Sequence, residues 1–571
     1  MDNTTHLIHQ WKATPYEEEV AHQLQKSLKI NPIFCQLLAQ RGIQSYEQAK
    51  DFFRPQLDQL HDPFLMFGME RAVSRILLAL ARKEKILLFG DYDVDGTTAV
   101  ALLYTYLEKH HAILTYYIPD RYKEGYGVSF EGIEHAVQQG VTLLITLDCG
   151  ISSQAPLRMA KREGIDVIVC DHHLPSEELP DAFAILDPKQ THCSYPYKEL
   201  SGCGVAFKLA QAINQVTNQP PDWCWELLDF LVISIASDIV DMMGENRILA
   251  YYGLKRFQQT ERVGLKMLIE KSGKPLPFTI NDIVFGLAPF LNAAGRLADA
   301  TQAVRLLLAK DAKTATEIAE ILNRRNLMRK EFDQRIAEEA KILWQAEENW
   351  HSKKSIVLYQ PHWHKGVVGI VAARMVEHFH RPTIILTESN GKAVGSARSI
   401  QGFSIHEAIK SCEDLLINFG GHDHAAGLSL HPQNIPYFQD RFEAIVQITL
   451  PNTIADPTIY YSAVVPFQAI TPTFWHILQQ FAPFGPGNRN PVFVSHQIYD
   501  TGYSRLLKEQ HIRLIVKQDD TPSMMGIAFG MAQYFESIQS RQKHSICYTL
   551  ESNQWKDKTY LQMQIKDIKI T

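Results

Sequence analysis

The sequence lacks paired cysteines. Its eight lie singly at 35, 149, 170, 193, 203, 224, 412 and 547, so no CxxC zinc motif is present and no disulfide framework is suggested. A reducing compartment is the expectation. No N-terminal stretch joins a basic head to an apolar segment, and apolar runs such as Leu143 to Leu147, itself broken by Thr146, are far short of a membrane span. These absences predict a cytoplasmic protein with no membrane partner. Strong net charge is missing too: 57 Lys+Arg against 63 Asp+Glu leave −6 at pH 7, with the excess acid in the first 300 residues. Composition therefore does not advertise a nucleic-acid ligand, and any basic track must be local. Internal repeats and low-complexity tracts are lacking as well.

What is present is an ordinary globular composition, 45% apolar and 21% charged over 571 residues, enough for three or four domains with full cores. Residues 1–70 read as short amphipathic helices punctuated by Pro32, Pro55 and Pro63, an N-terminal helical cap. From Lys85 the texture changes. Ile86 to Phe89, Ile113 to Ile118, Leu143 to Leu147, Val167 to Val169 and Ala182 to Leu186 are β-prone runs separated by helix-like stretches, which predicts a parallel sheet with covered faces over residues 71–275. Helices are expected at Val205 to Val216 and Trp223 to Ser237, and a linker at Lys271 to Pro275.

Thr301 to Trp350 contains no Gly or Pro and is rich in Ala, Leu, Glu, Arg and Lys, the composition of long helix. Residues 276–350 are therefore expected to be a helical connector. A smaller α/β unit follows over 351–450, then a linker from Pro451 to Pro457. Spaced strands at Val464, Val492 to Val494, Ile512 to Val516, Met525 to Phe529, Ile546 to Leu550 and Leu561 to Ile570 predict a small β-barrel or sandwich over 456–571. The expected fold class is α/β: a parallel-sheet domain, a long helix, a smaller α/β domain and a C-terminal β-barrel.

Three of the predicted strands run into metal-type ligands: Asp91, Asp93 and Asp95 in Gly90-Asp91-Tyr92-Asp93-Val94-Asp95-Gly96, then Asp148, then Asp171-His172-His173. Parallel strands share a carboxyl edge, so these groups converge. Alternating acids on an extended segment would point to one side, and two unit charges ~5 Å apart repel by roughly 3 kcal/mol at an effective dielectric of ~20. Such a crevice needs a cation. Carboxylates with an imidazole suit Mn²⁺ or Mg²⁺, and bridging acids would hold two ions about 3.5 to 4 Å apart, the arrangement of two-metal phosphoesterases. A single Asp closing a strand is more often a helix N-cap, but three strand ends together argue against that reading. A calcium loop is disfavoured by its strand and apolar-helix flanks and by the missing downstream Glu.

The motifs Asp91-Tyr92-Asp93-Val94-Asp95-Gly96, Asp148 and Asp171-His172-His173 resemble those of the DHH phosphoesterase superfamily. The chain as a whole resembles its RecJ family of single-strand-specific exonucleases. Ile118-Pro119-Asp120-Arg121, Glu124-Gly125-Tyr126-Gly127, Ala288 to Arg296, Trp363 to Gly369, Ser396-Ala397-Arg398 and Gly420-Gly421-His422 have counterparts there in the same order. The resemblance implies a DHH domain, a DHH-associated domain and an OB fold. It implies Asp93, Asp95, Asp148, His172 and Asp238 as metal ligands, with Asp148 bridging; Asp241 competes with Asp238, because Ser237-Asp238-Ile239-Val240-Asp241 departs from the family pattern. His173 would face the scissile phosphate or the attacking water, and Asp91 and Asp171 would orient the ligands.

The same resemblance places Arg121, Arg296, Ser396 and Arg398 around a terminal 5′-phosphate, with His422 as a further phosphate or DNA contact. Planar guanidinium groups suit that task. Two readings of the connector's Arg324, Arg325, Arg329, Lys330 and Arg335 stay open, a phosphate track or a solvated face. The barrel's Phe481, Phe484, Phe493, Tyr499 and Tyr503, with Arg489, Arg505, Lys508 and Arg513, suggest base stacking, or a core. His362 and His364 mimic an H-x-H metal pair without nearby carboxylates. The expected activity is 5′-to-3′ hydrolysis of single-stranded DNA to mononucleotides in recombination and repair, by a monomer that uses two Mn²⁺ or Mg²⁺ ions and works with a helicase and a single-strand-binding protein. The alternatives are a phosphodiesterase of short oligonucleotides or cyclic dinucleotides, and a non-catalytic strand-binding scaffold.

Overall fold

The structure is a computed structural model that describes residues 9–297, 299–451, 457–540, 542–555 and 558–570. The expected linker residues 452–456 lie outside the described residues. The chain divides into two compact units. One comprises Glu47–Leu327 with Ile477–Asn490; the other comprises residues up to Tyr46, Met328–His476 and those from Pro491 onward.

The first strand of the chain, β1 (Gln10–Ala13), belongs to the second unit and pairs in parallel with Thr458–Tyr461. The N-terminal stretch is thus not purely helical: a four-residue strand finds a distant partner that local periodicity does not reveal.

In the first unit β2 (Lys85–Gly90), β3 (Ile113–Tyr117), β4 (Leu143–Leu147), β5 (Asp166–Cys170) and β6 (Ala184–Leu186) form a parallel sheet in the order β3-β2-β4-β5-β6. β4 is buried throughout, and β2 and β5 are buried beyond their first residues, as expected of central strands covered on both faces. The chain leaves β2 for β3 on one side and returns to β4 on the other. The topological switch point therefore lies between β2 and β4, where open α/β sheets place their ligands. Helix Val94–Glu108 follows β2 directly and is buried on nearly all sides by helices Gly202–Val216 and Leu228–Ser237. Its apolar composition leaves little polar face, so it forms the centre of the unit's largest core.

Two expected helices are interrupted. Trp223 to Ser237 is split into Asp222–Trp225 and Leu228–Ser237. Thr301 to Trp350 becomes Thr301–Leu307 and the 35-residue helix Ala312–Ala346. Asp311 restarts the chain by accepting a hydrogen bond from the Thr314 amide at 2.8 Å, the role of an N-cap carboxylate.

The second unit contains two further sheets. β7 (Ile356–Tyr359), β8 (Thr383–Ser389), β9 (Lys392–Arg398), β10 (Leu416–His422) and β11 (Ala425–Leu430) are ordered β10-β11-β9-β8-β7, with β7 and β8 parallel and the other pairs antiparallel. After β12 (Thr458–Tyr461) come β13 (Ala463–Val464), β14 (Phe493–Asp500), β15 (Arg505–Leu507), β16 (His511–Gln518), β17 (Met524–Ala528), β18 (His544–Trp555) and β19 (Lys558–Ile570). They run in the order β13-β14-β18-β19-β17-β16-β15. β14 also pairs with β16, which closes a five-stranded barrel and removes its open edges, as in an OB fold.

Candidate active site

β2, β4, β5 and β6 end in register: Gly90 faces Leu147, Leu147 faces Cys170, and Cys170 faces Leu186. The next residue on each strand is an aspartate, namely Asp91, Asp148, Asp171 and Asp187. The amides of Asp91, Asp148 and Asp171 carry the ladder one bond further, to the carbonyls of Leu147 (3.3 Å), Cys170 (2.9 Å) and Leu186 (3.0 Å). Four carboxylates thus stand along one sheet edge, all buried. Asp187 escaped the sequence reading, although its signal, an Asp directly after a β-prone run, was the same.

Asp91, Asp93 and Asp95 do not share one face of an extended segment, as their alternation suggested. The strand stops at Gly90 and the helix begins at Val94, with Asp93 as its N-cap, accepting from the Gly96 amide at 3.0 Å. Gly96 permits this sharp entry because a Cβ there would come within 2.5 Å of the Asp91 backbone. The acids consequently divide between two groups. Oxygens of Asp91, Asp93 and Asp148 lie within 4.8 Å of one another, as do ligand atoms of Asp95, His172 and Asp238; a third such group is Asp148, His172 and His173.

Asp95 is held at the start of helix Gly202–Val216, where its carboxylate accepts from the amides of Gly202 (2.7 Å) and Cys203 (2.8 Å) and from the Ser234 hydroxyl (2.7 Å). Sequence reasoning did not single out these donors, yet Ser201-Gly202-Cys203-Gly204 is a visible N-cap with small residues. Asp148 adopts φ +62°, a left-handed conformation that aspartate tolerates better than most residues. Gly202 packs on it so closely that a Cβ would lie 2.5 Å from the Asp148 Cβ.

His172 is buried and points Nε2 at three carboxylates, with Asp148 Oδ1 at 3.1 Å, Asp238 Oδ2 at 3.6 Å and Asp95 Oδ2 at 3.8 Å. Burial, with the neighbouring His173, lowers its pKa to about 3, leaving a neutral imidazole able to donate a lone pair. Burial and repulsion from neighbouring acids push Asp95 up to about 6 and Asp238 up to about 8, and raise Asp91 and Asp148 well above the usual carboxylate range. His172 Nε2, Asp91 Oδ1 and Asp148 Oδ1 are buried without a hydrogen-bond partner. Neutral imidazole, crowded carboxylates and orphaned lone pairs are what a hard divalent cation satisfies, so the residues present fit such ions.

Asp171 has another task. It accepts from the amides of Ile151 (2.9 Å), His172 (2.8 Å) and His173 (3.2 Å) and lies 2.7 Å from His173 Nδ1. Burial alone would lower the His173 pKa, but the hydrogen bond and charge of Asp171 outweigh it and raise the imidazole to about 9. The hydroxyl of Tyr126, a residue of the Glu124 to Gly127 motif to which sequence reasoning assigned no role, lies 3.0 Å from His173 Nδ1. Asp238 stands at the site, whereas Asp241 turns away to accept from the Met243 amide at 2.7 Å.

Arg121 stacks over the Tyr92 ring at 4.9 Å. Next to it, the Tyr122 hydroxyl donates to the Arg296 carbonyl, and Gly295 sits against the Tyr92 carbonyl, where a Cβ would come within 2.7 Å. The Arg121 guanidinium and the Arg296 backbone therefore adjoin the same tyrosine pair, which follows Asp91 and Arg121 in the chain. In the second unit Arg398 donates to Ser396 Oγ at 2.9 Å, and Gly369 at the start of helix Val368–Phe379 backs onto both side chains. Arg398, Ala425 and His422 are in register across β9, β11 and β10, with His422 exposed.

Other sequence candidates resolve differently. His362 approaches Glu339 at 3.1 Å, while His364 stacks on Phe332 and accepts from the Gly366 amide, so the two do not form a metal pair. Of the aromatic set, Phe481 and Phe493 are core and Tyr503 is 70% exposed. Phe481 and Phe484 belong to the first unit rather than to the barrel.

Comparison with known proteins agrees with this geometry. Residues 85–235 match the DHH family, N-terminal domain, residues 352–447 the DHHA1 domain, and residues 461–567 the RecJ OB domain. The single-stranded-DNA-specific exonuclease RecJ of Bacillus subtilis (strain 168) is 36% identical over 565 residues, which cover 98% of this chain and 71% of that protein. The Escherichia coli (strain K12) RecJ is 33% identical over 568 residues, covering 95% and 96%. The crystal structure of RecJ from Thermus thermophilus in complex with Mn²⁺ superimposes with a TM-score of 0.84 at 28% identity, covering all of this chain and 80% of that one. Sheet edge, acid cluster and domain series together define a DHH phosphoesterase. Within that class, the chain belongs to the RecJ family.

Proposed function

We propose that this chain is a metal-dependent exodeoxyribonuclease that degrades single-stranded DNA from its 5′ end to mononucleotides, in recombination and repair. The observation that carries the reading is the buried carboxylate cluster around His172, in a chain homologous along its length to proteins named single-stranded-DNA-specific exonucleases. Mn²⁺ and Mg²⁺ are the candidate ions, since RecJ of Thermus thermophilus has been solved in complex with each. Asp91, Asp93 and Asp148 would hold one ion, and Asp95, His172 and Asp238 the other, with Asp148 shared. The chemistry supplied there is activation of a water and neutralisation of charge on the phosphate.

The protein's own groups do the rest. The amides of Gly202 and Cys203 hold Asp95 in place. Asp171 keeps His173 protonated and oriented, so that the imidazolium can stabilise negative charge on the phosphate or give a proton to the leaving oxygen. Arg121 and Arg296 are the phosphate-binding guanidinium groups of the first unit. Ser396, Arg398, His422 and the amides that open helix Val368–Phe379 provide a second anion site in the other, suited to a terminal 5′-phosphate. A cytoplasmic monomer working with a helicase and a single-strand-binding protein fits this activity.

Digestion of oligonucleotides labelled at either end, single-stranded or duplex, with Mn²⁺ present tests the reading. A 5′ label should appear at once as mononucleotide and duplex should resist, while Asp148→Ala should retain strands without cutting. Internal cleavage, or release from the 3′ end first, would rule it out.

A further inference from the structure

The segment after Asp238 is strained and clamped. Ile239 is 62% exposed and sits at φ +57°, a left-handed conformation that β-branched residues almost never adopt. Such a conformation persists only where its surroundings over-determine it. Here the surroundings are a loop from far along the chain. The Met242 amide donates to the Pro486 carbonyl at 2.7 Å. Gly487, at φ +69°, lies so close to Asp241 that a Cβ would collide with its carboxylate.

Asn488, fully buried, braces that loop by donating Nδ2 to the carbonyls of Phe481 (2.7 Å) and Pro483 (2.8 Å), while Gly485 and Asn488 exchange backbone hydrogen bonds. The Arg247 guanidinium stacks 3.7 Å over the Phe52 ring and donates to the carbonyls of Phe52, Gln480, Phe481 and Ala482. From the other side the Asn246 amide donates to the Asp241 carbonyl at 2.9 Å, and the Tyr197 hydroxyl donates to that of Met243 at 2.9 Å.

We propose that residues 480–488, braced by Asn488 and Arg247, are a positioning element for the metal centre: by clamping residues 241–243 they keep Ile239 in its left-handed conformation and Asp238 aimed at His172. This rests on the assignment of Asp238 as a metal ligand. The loop falls in sequence between the barrel strands β13 and β14, yet it packs within the first unit. A chain cut before residue 480 would keep every proposed ligand and lose the clamp.

Titration of the full-length, metal-stripped protein with Mn²⁺, followed by calorimetry and by electron paramagnetic resonance of free Mn²⁺, tests the proposal. Asp238→Asn should weaken one of two sites. Asn488→Ala, which removes the brace, and Gly487→Ala, which pushes on Asp241, should each weaken the same site by about 10- to 100-fold, the usual effect of removing a group that orients a ligand, and leave the other intact. Adding Ile239→Gly to Asn488→Ala should restore affinity, because glycine holds the left-handed conformation without penalty; a merely structural defect would not be rescued. If Asp238→Asn loses a site while both loop variants bind two ions as tightly as wild type, the positioning role is wrong. If Asp238→Asn itself binds normally, the ligand assignment fails and the positioning role with it.

Discussion

Nε2 of His172 and Oδ1 of Asp148 are 3.1 Å apart, and no hydrogen bond joins them; each is a buried atom without a partner. Two lone-pair donors left facing one another mark a position for a cation rather than for a proton. Asp148 also closes the group of Asp91 and Asp93. Asp148→Asn is therefore expected to abolish binding at both positions, where Asp238→Asn affects one. Cleavage should fall by more than the roughly two to three orders of magnitude that losing one preorganised electrostatic group costs. Mn²⁺ stoichiometry and single-turnover rates check this.

The acids also predict how the metal-free protein responds to pH. Asp238 has its pKa raised from 3.8 to about 8 by burial and by Asp95 and Asp93. The folded state therefore binds more protons than the unfolded state between these values, and its stability falls as pH rises through them. Chelator-treated protein should melt at progressively lower temperature from about pH 5 to about pH 8, and Mn²⁺ should restore most at the upper end, releasing protons as it binds. A melting temperature of the metal-free protein that rises over this range would contradict the cluster's electrostatics.

Asp171 keeps the His173 imidazole charged to about pH 9. In Asp171→Asn that pKa should drop towards the ordinary value near 6.5, moving the alkaline limb of the pH–rate profile downward while Mn²⁺ still binds. A profile displaced only in height would assign Asp171 to folding alone.

Gly202→Ala should mimic the loss of a ligand without touching one. The new Cβ would meet Asp148 Cβ at 2.5 Å and its Oδ1 at 2.6 Å, so the carboxylate must shift. Overpacking of this kind costs about 1 to 3 kcal/mol of stability. Calorimetric unfolding and Mn²⁺ affinity should both decline; unchanged affinity would show that the carboxylate adapts.

Most of the site could be read from the sequence because its signal is local. An aspartate directly after a β-prone run is a strand end whatever else the chain does, and parallel neighbours bring such ends together; Asp91, Asp148 and Asp171 follow from that rule, as Asp187 should have. Local rules misjudged what happens within one helical turn of those ends. The alternation of Asp91, Asp93 and Asp95 placed them on one side of an extended segment, yet Asp91 and Asp93 group with Asp148 while Asp95 groups with His172 and Asp238, because the chain enters a helix at Val94 instead of continuing extended.

By itself, then, the sequence determined the parallel sheet, the acids at its carboxyl edge, the barrel at the end of the chain and the family whose motifs it carries. Each is written in periodicity or in contiguous residues. Tertiary structure alone decided that Asp238 and not Asp241 faces His172, that helix Gly202–Val216 secures Asp95, and that Phe481 lies beside Arg247 rather than in the barrel. Those outcomes turn on contacts between residues as much as 234 positions apart. Propensity and hydrophobic pattern report only on neighbours within a few residues, so they carry no information about which distant backbone will meet a helix end.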